Sequence, residues 1–235
     1  SHGRKTDYLW TEIFRKDSLL EIVGRFIHLE KDDKGKWSTL IFPRYHQMDS
    51  VRKMVADAKV SGAGKNYLIQ HSAGSGKSNS IAWLSYRLAS LHDDKDQRVF
   101  DSVIVVTDRK VLDNQLQDTI YQFEHKMGVV QKIDKNSKQL AEALTSGTNI
   151  IITTLQKFPF VIEHIASLPA RRYAVIVDEA HSSQGGEASK KMKEVLSAKT
   201  LEEAELEDRS IEDDAEDEIR KSMMARGRQS NLSFF

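Results

Sequence analysis

The sequence predicts an α/β domain with a parallel sheet flanked by helices, and three observations carry that prediction. Short runs such as Val103-Ile-Val-Val106 and Ala174-Val-Ile-Val177 are apolar at every position, as strands covered on both faces are. Between them lie longer segments whose apolar residues recur at helical spacing, and such alternation implies right-handed βαβ units. The third is a glycine-rich turn, Gln70-His-Ser-Ala-Gly-Ser-Gly-Lys-Ser78, set between a short strand-like run and a helix-like one.

In chain order, Asp7 to Glu30 carry a helical pattern (Leu9, Ile13, Phe14, Leu19, Leu20, Val23, Phe26, Ile27) interrupted near Lys16-Asp17-Ser18. Two short helices are expected there, as an N-terminal appendage. Lys31 to Lys36 read as a solvated turn, Trp37 to Phe42 as strand-like, and Tyr45 to Lys59 as a helix ending before Gly62 and Gly64. Then follow a buried strand at 66–70, a helix at 77–91 and a strand at Ser102 to Thr107. Helices at 110–123 and 138–144, a strand at 149–154, a helix at 155–165 and a strand at 173–177 complete the alternation. A strand-like Asn231-Leu-Ser-Phe-Phe235 stops in mid-pattern, which reads as the end of a fragment. We divide the chain into residues 1–42, a helical and linker segment, and 43–235, the α/β domain.

With 235 residues, 39% of them hydrophobic, the chain can bury one core and an appendage. Lysine plus arginine and aspartate plus glutamate stand at 35 each, so any nucleic-acid surface must be local. There is no cysteine, which excludes disulfides and thiolate metal sites and fits a cytoplasmic location. No apolar run approaches the ~20 residues of a membrane span, and no signal peptide is recognisable, so no membrane partner is expected. Glu202 to Glu218, acidic apart from Arg209 among its charges, reads as a solvated surface or as a DNA-repelling decoy.

The turn at 70–78 departs from G-x-x-x-x-G-K-[ST] only in having His71 where the first glycine belongs. Polyphosphates are held by converging backbone N–H groups and the positive end of the following helix, so the chain must turn without side chains in the way. Gly74 and Gly76 supply that freedom, with Ala73 and Ser75 completing the cradle. Lys77 reaches the β- and γ-phosphates and the Ser78 hydroxyl ligates Mg²⁺. ATP and Mg²⁺ are therefore the expected cofactors. His71 precedes the tightest part of the turn, receives no chemical role, and is expected to tolerate replacement by glycine.

Val175-Ile-Val-Asp178-Glu179-Ala180-His181 follows about 100 residues later, at the end of a buried strand. Asp178 can complete the Mg²⁺ shell, and Glu179 can act as general base or orient the attacking water. His181 reads as a member of the site or as a helix cap. Arg171 and Arg172 precede the same strand, so they belong to the opposite edge of the sheet and cannot supply charge to the phosphates.

The pair GSGKS at 74–78 and DEAH at 178–181 resembles superfamily 2 helicases and translocases with RecA-like P-loop NTPase domains. Arg44-Tyr-His-Gln47, Val105-Val-Thr-Asp-Arg109 leading to Leu112-Asp-Asn-Gln-Leu116, Thr153-Thr-Leu-Gln-Lys-Phe158 and Asp178 to Gly185 narrow the resemblance. Together they look like the motor (R, HsdR) subunit of type I restriction enzymes, over essentially the whole chain. The resemblance implies a first RecA-like lobe of an ATP-dependent double-stranded DNA translocase, working with modification and specificity subunits. It implies that Gln47 reads the adenine edge, that His181 couples the nucleotide to DNA, and that Arg109 and Thr154 touch the DNA backbone. Arg109 as a helix cap or ion-pair partner is an equal reading. It further implies a second lobe that contributes arginines, so that this lobe alone hydrolyses ATP hardly at all. Two alternatives stay open: another DEAH-type DNA or RNA helicase, and a nucleotide-switched DNA-binding module without turnover.

Overall fold

A computed structural model describes residues 4, 6–31, 36–72, 74–107, 116, 118–123, 128–133, 137–154, 161, 165, 171–178 and 230–235. Its centre is a five-stranded parallel sheet in the order β4-β5-β3-β6-β7: Val130–Lys132, Ile150–Thr154, Ser102–Thr107, Tyr173–Val177 and Leu232–Phe234. The register aligns Val103 with Ile150 and Ala174, and Val175 with Phe234.

Alternate residues of each inner strand feed two cores. Val103, Val105, Ile150, Ile152, Ala174 and Ile176 face one side, with α2 (Tyr45–Ser61) and α3 (Lys77–Ala89). Ile104, Val106, Ile151, Tyr173 and Val175 face the other, with Ala143 and Leu144 of α4 (Ser137–Ser146) and with Val161 and Ile165. This two-sided burial is why the central residues of these strands are consecutively apolar. Helix α2 packs through Met48, Val51, Met54, Val55 and Ala58, an i, i+3, i+4, i+7 stripe, whereas α3 is buried on most of its circumference.

The N-terminal segment closes over the first core. A π-helical turn (Leu9–Ile13) precedes α1 (Lys16–Glu21), which runs on into a second π-helical turn (Ile22–Phe26). The break lies at Phe14-Arg15, two residues before the expected place. Ile22 and Phe26 enter the core, and the Trp83 indole N–H donates to the Phe26 carbonyl at 2.8 Å. The guanidinium groups of Arg52 and Arg87 lie 5.9 and 5.6 Å from the Phe26 ring centroid, and Glu21 binds both.

Three expectations need correction. The helical pattern ends at Phe26: residues His28–Lys31 form β1, paired antiparallel with β2 (Trp37–Ile41). Strand β4 was not expected, since three residues give no readable alternation. Residues 66–70 form no strand and are not buried. They run beside β7 at the edge of the sheet, where Tyr67 N–H donates to Phe234 O at 2.7 Å, and Leu68 is 86% exposed. Of the helix expected at 110–123, the described residues Leu116 and 118–122 are helical; of that at 155–165, Val161 and Ile165 are. The acidic run at 202–218 lies outside the described residues.

Candidate functional site

The carboxyl ends of the parallel strands, where open α/β sheets bind ligands, bring the two sequence motifs together. Asp178 follows directly on β6 and its N–H donates to the Val106 carbonyl of β3 at 3.0 Å, which fixes the carboxylate at the strand end. The glycine-rich turn leads into α3 at the same edge. Lys77 Nζ and Asp178 Oδ1 lie 3.1 Å apart, with side chains 34% and 17% exposed.

The turn is held by its carbonyls. Ser75 N–H donates to Ser72 O at 3.2 Å, and Gly74 and Gly76 have φ of 72° and 82°. Arg44 Nη1 donates to Gly74 O at 3.4 Å and His46 Nε2 to Ser75 O at 3.1 Å. Gln47 Nε2 donates to Ser75 O at 3.2 Å and to Gly76 O at 2.8 Å, while Gln47 Oε1 accepts the Arg44 N–H at 2.8 Å. With these carbonyls drawn to the start of α2, the alternative faces of the same peptides are left for an anion. At Gly76 a side chain is excluded twice, by φ and by contact with the Gln47 amide nitrogen; at Gly74 a Cβ would meet nothing within 4 Å, and only φ calls for glycine.

Gln47 is thus 3% exposed, with both ends of its amide engaged within the protein. Sequence reasoning assigned it the adenine edge; the structure gives its amide donors to the turn, and a base must compete for them. Arg44 and His46 were quoted only as part of a resemblance, although they contact the turn as directly as Gln47 does. A spacing of 28–30 residues between helix start and turn leaves no periodic signal of that contact.

His71 lies beside this arrangement. Its ring is edge-on to that of His46, with centroids 5.7 Å apart at 83°, and its Nδ1 is buried with no hydrogen-bond partner among the described residues. Burial holds the His71 imidazole below its ordinary value, and the charges of His46 and Lys77 act in the same direction.

Thr154 ends β5 at this edge, as expected, but it is 5% exposed and its hydroxyl is covered. Arg171 and Arg172 are at the far edge, as expected: Arg171 donates to the carbonyls of Leu144 and Thr145, and the Arg172 N–H to Asp101. Ala73, Arg109, Glu179 and His181 lie outside the described residues.

The groups present fit a polyphosphate with a hard divalent cation. Among the described residues no cluster of three or more His, Asp or Glu could hold a metal alone. One hydroxyl, one carboxylate and ligand oxygens are what Mg²⁺ accepts, since it keeps much of its water. No helix among the described residues is long and apolar enough to cross a membrane.

Comparison with known proteins agrees with this geometry. The model of the SWI2/SNF2 ATPase family matches residues 46–201, a span that contains both Lys77 and Asp178. A protein of Mycoplasma pneumoniae, named as the C-terminal part of the type I restriction enzyme MpnIIP endonuclease subunit, is 27% identical over 213 residues. The match covers 83% of this chain and 97% of that protein.

Proposed function

The chain belongs to the SWI2/SNF2 ATPase family, and on that premise we propose that it is the ATP-binding motor lobe of a type I restriction enzyme R subunit. In this reading residues 43–235 drive double-stranded DNA past the enzyme, in the cytoplasm, in complex with modification and specificity subunits. The observation that carries it is the meeting of Lys77 and Asp178 at 3.1 Å across the sheet edge, joining two motifs about 100 residues apart. The likeness to a restriction-enzyme subunit supports the choice of system.

Residues 73–78 bind the triphosphate through backbone N–H groups and the start of α3. Lys77 leaves Asp178 and turns to the β- and γ-phosphates. Ser78 and Asp178 would hold Mg²⁺, which when bound would supply positive charge to offset the negative charge of the phosphates. Glu179 takes a proton from the water that attacks the γ-phosphorus, ADP leaves, and inorganic phosphate is the second product. Gln47 exchanges its hold on Gly76 for the adenine edge. His181 relays the state of the site to DNA, whose backbone Arg109, following β3 in sequence, and Thr154, at the end of β5, contact. The transition-state arginine comes from a second lobe, because Arg171 and Arg172 are committed at the opposite edge. Such an arginine is worth ~10³–10⁵ in rate.

The test is steady-state ATP hydrolysis by this chain and by the complete subunit in which we place it, with linear duplex DNA, with RNA and without nucleic acid. Stimulation by duplex in the complete subunit, little turnover in the chain alone, and retained ATP binding without turnover in Glu179→Gln are expected. Stimulation by RNA instead would reassign the chain to RNA helicases. A complete subunit that binds ATP without turnover would make it a nucleotide switch.

A further inference from the structure

His71 stands where the phosphate-binding pattern has glycine, and its surroundings give the imidazole more to do than fill space. It is flanked by groups of positive or potentially positive charge: His46 on α2, whose ring meets it edge-on, and Lys77 on α3. Arg44 adds a guanidinium on the same turn, at Gly74 O. The nearby carboxylate of Asp178 is taken up by Lys77. Among the described residues no acidic group pairs with His71, and its Nδ1 is shielded from water without a hydrogen-bond partner. A buried ring nitrogen left in that state has a cost that a bonded acceptor would remove.

We propose that His71 is a proton-linked contact for the polyphosphate: the imidazole is neutral while the turn is empty and takes up a proton from solvent when phosphate oxygens arrive beside it. This rests on the reading of residues 73–78 as the nucleotide site. The direction follows from charge. With the turn empty, burial and the neighbouring cations disfavour the imidazolium. A bound polyphosphate brings several negative charges to the cluster, and an opposite charge within ~4–6 Å raises a titration midpoint by about one pH unit or more. A group whose midpoint rises on binding takes up protons with the ligand, so affinity increases as pH falls through neutrality and the gain fades above it.

The experiment is calorimetric titration of the whole chain with MgADP near pH 7, in two non-phosphate buffers of different ionisation enthalpy, for wild type and His71→Asn. Protons taken up by the ligand itself cancel in the comparison. Wild type is expected to take up about half a proton per nucleotide more than the variant; equal uptake overturns the proposal and leaves the nucleotide site standing. Absence of binding in both proteins overturns both. Should His71→Asn fail to fold, the His71 Hε1 resonance of the unaltered protein, assigned by triple-resonance NMR, is titrated with and without MgADP. Its midpoint is expected to move up by about one pH unit or more, and an unmoved midpoint refutes the proton linkage.

Discussion

Replacing Asp178 with asparagine separates two effects that one carboxylate exerts on the nucleotide. In the structure Lys77 Nζ is 3.1 Å from Asp178 Oδ1, and neither side chain is fully buried. An entering polyphosphate must draw Lys77 away from this carboxylate and tolerate its negative charge. A partly exposed pair of this kind is worth ~1 kcal/mol, which corresponds to about fivefold in a dissociation constant. Without divalent cation, Asp178→Asn is therefore expected to bind ADP about fivefold more tightly than wild type. With Mg²⁺ the order reverses, because the carboxylate that would hold the ion's hydration shell is gone. Charge-assisted hydrogen bonds contribute ~1.5–3 kcal/mol, so the enhancement by Mg²⁺ should fall about tenfold or more. Titration of a fluorescent ADP analogue, first in EDTA and then in excess Mg²⁺, reads both effects. Weaker binding by Asp178→Asn in EDTA would show that the nucleotide does not displace the Lys77–Asp178 pair. An undiminished Mg²⁺ effect would remove Asp178 from the cation site.

Three further outcomes are expected. Lys77→Ala loses a charged phosphate contact and should weaken ADP binding by about 10- to 100-fold; the same titration checks it, and unchanged affinity would undo the assignment of the turn. Gly76→Ala should lower stability in urea unfolding by ~1–2 kcal/mol and more than Gly74→Ala, since both strain φ but only the first meets the Gln47 amide; equal losses would mean that Gln47 yields freely. Glu21→Gln leaves Arg52 and the largely buried Arg87 around Phe26 without their shared anion. It should cost ~2–3 kcal/mol, a Tm lower by roughly 5–10 °C in calorimetry, and a shift under about 1 °C would show that the cluster is not coupled to folding.

Strands β3, β5 and β6 are legible in the sequence because both of their faces are buried, so the central residues of each are consecutively apolar. The same reasoning misleads at 66–70, where Tyr-Leu-Ile looks alike but Leu68 points outward from a sheet edge; a local apolar run does not report which neighbours cover it. His28 shows the converse. A polar residue in the tail of a helical pattern proves to be 5% exposed in a strand, its ring 3.6 Å from that of Phe123, and only tertiary packing makes that position suitable. At the site, Lys77 and Asp178 could be paired from their motifs, whose chemistry requires proximity. The clasp of Arg44, His46 and Gln47 on the turn could not, because carbonyl acceptors are present at every residue and carry no signature.

Strand β7, only Leu232–Phe234, acts as a gauge block between the two halves of the site. On one side its residues are locked in parallel register to β6, the strand that delivers Asp178. On the other, the approach to the phosphate turn rests against it through Tyr67 N–H on Phe234 O, Gly64 N–H on Ser233 Oγ, Asn66 Oδ1 on Phe234 N–H and the stacking of Tyr67 on Phe235. The lateral offset between carboxylate and turn is thus about two strand widths, on the order of 10 Å, with three residues as the shim. The seam toward β6 is a regular ladder, whereas the seam toward the turn joins a backbone-to-backbone bond with side-chain pins. A sideways load on the sheet would yield at the second seam first, and the Lys77–Asp178 separation would register the slip.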